Sequence, residues 1–273
     1  MDSTEEIELQ LLLEAIHQKY HYDFRGYSMA SLKRRLRQAC DRFRCATISQ
    51  LQDRVLHDAT VLPDLLSYLT VQVSEVFRDP SYYLALRQKV TPHLRTYPSL
   101  KIWVAGCATG EEVYSLAILL REEGLEDRSL IYATDINPQA LAKAEAGRYE
   151  LDRFALFTEN HRRSGAKSSL SDYYTAGYGA AVFDKSLRKR VVFSDHSLVS
   201  DAVFAEVQLI SCRNVLIYFR NELQDRAIGL FSEALSRKGF LGLGAKESLR
   251  FSSHTAEFDE FDRSEKIYQK RGA

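Results

Sequence analysis

An α/β chain with a helical front end is the fold class this sequence predicts, and three observations predict it. Residues 3–96 carry apolar positions at helical spacing and no strand-like alternation. From Leu100 onward, short apolar runs alternate with amphipathic helices, the pattern of a parallel sheet covered by helices on both faces. Between 150 and 195 that rhythm breaks into Tyr, Phe and Val with interspersed Gly, which predicts a small strand-rich excursion from the main sheet.

Each element has its own signals. Ser3 or Thr4 is placed to cap a first helix, with Ile7, Leu11, Leu12, Ala15 and Ile16 on one face. A second helix is predicted from near Ser28, its Leu32, Leu36, Ala39, Cys40 and Phe43 keeping helical spacing. Shorter helices follow around 48–57 and 62–70, and Pro80 suits the first turn of another. LKIWVAGC, from Leu100, reads as a buried strand. The helix after it has Val113, Leu116, Ala117 and Leu120 as its apolar stripe and Gly124 as a stop. SLIYATD is a second strand, and Asn137 and Pro138 suit the N-cap and first position of the next helix. VQLISCRN reads as a third buried strand, followed by a helix running to Gly239. FLGLGA and KIYQKR read as terminal strands. The expected division is a helical domain over 1–78, a linker helix over 79–96 and an α/β domain over 97–273, with the excursion at about 165–195.

The chain has 273 residues with 37 basic and 37 acidic side chains, so its formal charge is zero. That argues against a general polyanion binder. No apolar run approaches the roughly 18 residues of a membrane helix, and MDSTEEIELQ lacks the layout of a signal peptide. Cys40, Cys45, Cys107 and Cys212 form no C-x-x-C pair and have no zinc-ligand spacing. Reduced thiols in a cytoplasmic protein without a metal centre are the expectation.

Ligands of an open parallel sheet bind beyond the carboxyl ends of its strands. The first strand ends in Ala105, Gly106, Cys107, Ala108, Thr109 and Gly110, and its glycines permit a tight turn and close approach of a ligand. The second strand ends in Asp135, where an acid can accept both hydroxyls of a ribose. The glycine pattern is G-x-x-x-G, followed by Glu111 and Glu112 in the helix's first turn. A pyrophosphate there would meet two negative charges, whereas an ammonium or sulfonium group would be favoured, which points to S-adenosylmethionine over NAD. A glycine after a strand also serves as a plain turn, and a first-turn glutamate also answers the helix dipole, so both readings stand at this point.

Together the motifs resemble those of the chemotaxis receptor glutamate methyltransferases, the CheR family. The carriers are W-V-A-G-C-A-T-G-E-E-V-Y-S-L (103–116), A-T-D-I-N (133–137), S-C-R-N-V-L-I-Y-F (211–219) and S-E-V-F-R-D-P (74–80). The resemblance spans essentially the whole chain. It implies a Rossmann-like S-adenosylmethionine-dependent methyltransferase domain, an N-terminal helical domain and a small inserted antiparallel β subdomain. It also implies a cofactor site in which Glu111 binds the methionine end and Asp135 the ribose. Gln72, Ser74, Ala105, Gly106, Ser197, Leu198, Arg213 and Asn214 fall at further cofactor positions. Arg78 falls on the family's active-site arginine, which also touches the cofactor, and Tyr218 on the tyrosine of its I-Y-F segment. Departures occur at Gln72 and Ser74 (where the family has N-x-T), at Val76, Val113 and Ser197, and at Ala245-Lys246 before Glu247. None removes Arg78, Glu111, Asp135, Asn214 or Tyr218, so an active enzyme is expected.

Segment 25–44 holds seven cations against Asp41 alone, and its helix is expected to turn them outward. Lys33, Arg34 and Arg37 are accordingly candidate substrate-binding residues for glutamate-rich receptor helices. The resemblance makes the chemoreceptor cytoplasmic domain the expected partner, with recruitment to receptor arrays, no nucleic acid and no membrane insertion. TAGYGAAVFDKS is short for the Gly-rich hairpin loop by which some family members hold a receptor pentapeptide, so no pentapeptide tether is expected. A methyltransferase for another substrate, or a non-enzymatic cofactor-binding module, are the alternative readings.

Overall fold

The computed structural model describes residues 3–272. Four helices come first: α1 (Thr4–Tyr20), α2 (Met29–Phe43), α3 (Ile48–His57) and α4 (Val61–Leu69). Ser3 caps α1 in a reciprocal capping box with Glu6. Leu9, Leu12, Ile16, Leu32, Leu36, Leu51 and Leu65 are fully buried between these helices. Their core is continuous with one face of the sheet, through Trp103, Leu216, Leu223 and Phe231. After a short extended segment, α5 (Pro80–Ala85) passes through a π-helical turn at Leu86–Val90 into α6 (Thr91–Leu94).

The α/β part follows with β1 (Leu100–Ala105), α7 (Glu111–Glu122), β2 (Ser129–Asp135), α8 (Pro138–Ala146), β3 (Arg148–Glu150) and α9 (Phe154–Arg163). Then come β4 (Tyr174–Gly177), β5 (Ala180–Phe183), β6 (Val191–Asp195), β7 (Val207–Cys212), α10 (Asn221–Ala234), β8 (Leu235–Leu243), β9 (Phe258–Asp262) and β10 (Ile267–Lys270). The main sheet runs in the order β6-β2-β1-β7-β8-β10-β9. Its first five strands are parallel, and β10 is antiparallel to both neighbours. The chain winds outward from β1 through β2, then returns to β7 on the other side. The switch point therefore lies between β1 and β7, where a ligand crevice opens in such sheets.

Three sequence expectations need correction. The excursion is a sheet of order β3-β5-β4, beginning at Arg148, and 191–195 is instead the edge strand of the main sheet. Helix α9 lies inside the stretch read as strand-rich, where Phe154 and Phe157 bury one face of an otherwise polar helix. Helix α10 stops at Ala234, not Gly239, because Leu235 already pairs with Val207 of β7. A register shift there, with Lys238 at φ 62°, lets Phe240 pair with Leu209. β9 had no sequence expectation; its FDEFD pattern buries only Phe258 and Asp262.

Candidate active site

A pocket of about 870 Å3, open mouth included, lies beyond the carboxyl ends of β1, β2 and β7, on the side facing the N-terminal helices. The turn after β1 forms its floor. Gly106 has φ 74°, and a Cβ there would stand 2.6 Å from Val215. Gly110 has φ 91°, and a Cβ would stand 2.6 Å from that of Ala144, so α7 and α8 meet only because this residue is glycine.

Asp135 accepts hydrogen bonds from the Ala108 and Asn137 backbone N–H groups, each at 2.9 Å. Burial pushes its carboxyl above the usual range, with the backbone donors opposing. Asn137 caps α8 by accepting from Gln139 and Ala140 N–H, which fixes the loop behind Asp135.

The two glutamates that open α7 part ways. Glu111 is fully buried away from the pocket, where it pairs with Arg153 at 2.9 Å and accepts from the Thr109 hydroxyl at 2.7 Å. Glu112 lines the pocket, and its Oε1 is buried without a hydrogen-bond partner. Burial raises the Glu112 carboxyl, and the nearby Arg213 charge opposes that rise. Glu112, and not Glu111, thus lines the pocket; two adjacent helical residues point about 100° apart, and the sequence does not say which one faces in.

Arg213 is buried at the end of β7. It pairs with Asp79 at 2.7 Å, donates to the Arg78 carbonyl at 3.1 Å and lies over the Tyr82 ring at 4.1 Å. It thereby ties the 70–79 segment to the sheet. Asn214 sits at φ 62°. Glu247 holds it and its neighbour there: its carboxylate accepts from the Asn214 and Val215 N–H groups at 2.9 Å and from Gly244 at 2.6 Å.

The expected residues do not all gather. Ser74, Arg78, Gly106, Asp135, Leu198, Arg213, Asn214 and Tyr218 line the pocket. Ala105 is buried behind it. Gln72 is not in the lining and reaches the Thr70 hydroxyl at 3.5 Å. Ser197 is also outside it, its hydroxyl accepting from the Val199 and Ser200 N–H groups. His196 and Thr70 line the pocket beside them and had no sequence expectation.

Helix α2 corrects a larger expectation. Arg35 is not on the outside. It is 6% exposed, donates to the Leu69 carbonyl at 2.5 Å, lies over the Tyr218 ring at 5.4 Å and lines the pocket. The signal was present: Arg35 shares a helical face with Leu32, Leu36 and Ala39. Lys33 is ion-paired with Glu6, Arg37 with Glu5 at 2.6 Å, and Arg25 with Glu14 and Asp23. Acids of α1 thus answer much of the basic run, leaving Arg34, Arg42 and Arg44 exposed. The Ser28 N–H donates to the Tyr218 carbonyl at 2.8 Å, and the Tyr27 and Phe219 rings meet edge-on at 4.9 Å. These contacts seat Tyr218 between the helical and α/β parts.

Among the described residues, no group of three His, Cys, Asp or Glu could hold a metal ion, and no helix is long and apolar enough to cross a membrane. A switch-point sheet, a strand-end acid and a second buried carboxylate in place of a pyrophosphate cradle define a nucleoside-cofactor enzyme of the methyltransferase class. Residues 7–70 match the CheR methyltransferase all-alpha domain, and residues 72–267 match the CheR methyltransferase SAM binding domain. The chain therefore belongs to the CheR methyltransferase family, and its cofactor is S-adenosylmethionine. It is 56% identical to a putative methyltransferase, Cher3, of Pseudomonas putida, over 97% of each chain. It is 31% identical to a chemotaxis protein methyltransferase of Listeria innocua, over 83% of this chain and 84% of that one. It is 33% identical to chemotaxis protein methyltransferase 1 of Pseudomonas aeruginosa, over 63% and 65%. The solved N-methyltransferase NodS from Bradyrhizobium japonicum, in complex with S-adenosyl-l-homocysteine, aligns over 62% of both chains at TM-score 0.35 and 14% identity, too distant to bear on the site.

The residues present fit this cofactor. An unpaired buried carboxylate oxygen is costly, and the Glu112 oxygen is in that state in the pocket lining. Glu112 suits the ammonium of the methionine end, and Asp135 suits the ribose hydroxyls.

Proposed function

We propose that the enzyme methylates glutamate side-chain carboxylates on the cytoplasmic helices of a chemoreceptor, giving glutamyl methyl esters for sensory adaptation. The observation that carries this reading is one pocket lined by both signs of charge. Asp135 and Glu112 line it and suit the cofactor, while Arg78, Arg35 and Tyr218 line it as well and suit an anionic acceptor. When bound, S-adenosylmethionine supplies an activated methyl group whose transfer to a carboxylate oxygen needs no general base. The chain's task is then to orient and desolvate, which is worth roughly 7–11 kcal/mol in well-aligned systems.

Arg78 is half-buried, and among the described residues its guanidinium makes one long hydrogen bond, 3.5 Å to the Val73 carbonyl, so it is available to a carboxylate. Tyr218 offers its hydroxyl from a ring fixed by Arg35 and by the Ser28 contact to its backbone. Among the described residues Arg34 is exposed without an ion-pair partner, beside Lys33 and Arg37, which would exchange their α1 partners for receptor carboxylates.

The β4–β5 hairpin closes with Tyr178 and Gly179 alone, both at positive φ. A turn of two residues supports action without a pentapeptide tether. The proposal also places the enzyme in the cytoplasm, at receptor arrays. The test is a kinetic split. Tyr218→Phe and Arg78→Lys should lower kcat/KM for a receptor fragment by about tenfold or more. Tyr218→Phe should leave S-adenosylhomocysteine affinity within about twofold by calorimetry. Wild-type turnover in both variants would remove these residues from the acceptor site.

A further inference from the structure

A second cavity lies apart from the candidate active site, between the β8–β9 loop and the β9–β10 hairpin. It encloses about 1080 Å3 with its open mouth. Lys246, Arg250, Arg263 and Lys266 line it, and among the described residues none of these side chains makes an ion pair or hydrogen bond. The acids of the same hairpin are engaged elsewhere. Asp259 pairs with Arg271 and Asp262 with Lys89, each at 2.7 Å, and Glu265 accepts from Ser81 at 3.0 Å. Glu247, in the lining, turns its carboxylate onto the Asn214, Val215 and Gly244 amides. Glu260 is left as one exposed carboxylate among four cations. In a chain of zero net charge this is an uncompensated local field. Phe251, in the same lining, is 87% exposed.

We propose that this groove docks an acidic segment of a partner protein, with carboxylates against the four cations and an apolar side chain against Phe251. The cations come from two separate segments, the loop and the hairpin, which suits charges spread along a chain. No glycine and no α-helix N-terminus lines the groove, so it lacks the backbone-amide cradle that a phosphate group uses.

Fluorescence anisotropy with the full chain tests this. The probe is a labelled peptide of about a dozen residues, alternating Asp and Glu around one Leu, with a Lys-substituted peptide as control. The expected result is binding of the acidic peptide alone, weakening steeply with salt. Arg250→Glu and Arg263→Glu should each weaken it about tenfold, and Phe251→Ala several-fold. Unchanged S-adenosylhomocysteine affinity by calorimetry would show that the variants are folded. Wild-type peptide affinity in both charge-reversal variants, or no binding at low salt, would overturn the proposal. Displacement of the peptide by pyrophosphate or ATP at stoichiometric levels would also overturn it, by making the groove a phosphate site.

Discussion

Glu111 and Glu112 carry different burdens, and substitution separates them. Glu111→Gln leaves Arg153 without its buried partner, so thermal stability should fall, by less than the roughly 3 kcal/mol of a fully buried pair because Arg153 is one-third exposed. Glu112→Gln keeps the packing and removes charge from the pocket, so it should weaken S-adenosylmethionine binding about tenfold while leaving the melting temperature nearly unchanged. Calorimetric titration and a thermal melt on both variants check the pair of outcomes. The reverse pattern would return the cofactor role to Glu111. Protonation follows the same logic. The Asp135 and Glu112 carboxyls are both raised by burial, so each takes up a proton at a higher pH than an ordinary carboxyl. Cofactor affinity should therefore fall on acidification earlier than normal carboxyl titration predicts, and Glu112→Gln should flatten part of that fall. At this scale the sequence was informative about residue types at the strand ends, and Asp135, Gly106, Arg213 and Asn214 all line the pocket. It was silent on which side chain of adjacent polar residues turns inward, as with Glu111 and Glu112, because helix rotation is set by packing and not by local propensity.

At the scale of elements, α2 shows how a charge run changes meaning once its neighbour is placed. Its acidic answer comes from α1, a neighbour that reading α2 alone does not reveal. Arg34→Glu should therefore raise KM for a receptor fragment in a salt-dependent way. Arg37→Glu first loses a solvent-exposed pair with Glu5 and should have the smaller effect on KM at low salt. Initial rates across a salt series distinguish them. The β1–α7 turn has no room for a Cβ at either of its glycines. An ordinary Gly→Ala change stabilises by about 0.4–1 kcal/mol, but Gly110→Ala adds a Cβ at positive φ against Ala144 and should instead destabilise by more than about 1 kcal/mol. A denaturant melt reads that loss. Helices α1 and α8 were legible through their caps, at Ser3 and Asn137, and α2 and α7 through apolar spacing alone. The end of α10 was not, because the run from Leu235 to Gly239 fits an amphipathic helix and only pairing with β7 makes it a strand. β9 was hidden for a related reason: it is a short edge strand with few buried residues.

At the scale of the whole molecule, two cores share one sheet, and a buried ion network secures the side opposite the N-terminal helices. Arg87 bridges Glu122 and Glu123, and Glu122 also meets His161. Burial alone would raise the Glu122 carboxyl, but the His161 and Ser168 hydrogen bonds and the Arg87 charge outweigh it and bring it to about 2. A carboxyl lowered on folding contributes stability that is fully present above its unfolded value near 4.5. That stability is lost as pH falls through about 2. Acid unfolding should accordingly steepen below about pH 4.5, and Glu122→Gln should blunt that dependence. The architecture was legible from strand–helix alternation, and its helical front end from spacing. The site between them was only half legible, since Arg35 and Tyr218 meet across parts of the chain far apart in sequence.

Carboxylate methylation of a receptor, as proposed, is tested by incubating the enzyme with radiolabelled S-adenosylmethionine and receptor cytoplasmic fragments from the same cell, then measuring base-labile label. The expected result is label that base releases as methanol and that disappears when the acceptor glutamates are changed to alanine. Absence of label, with S-adenosylmethionine binding intact by calorimetry, would contradict it.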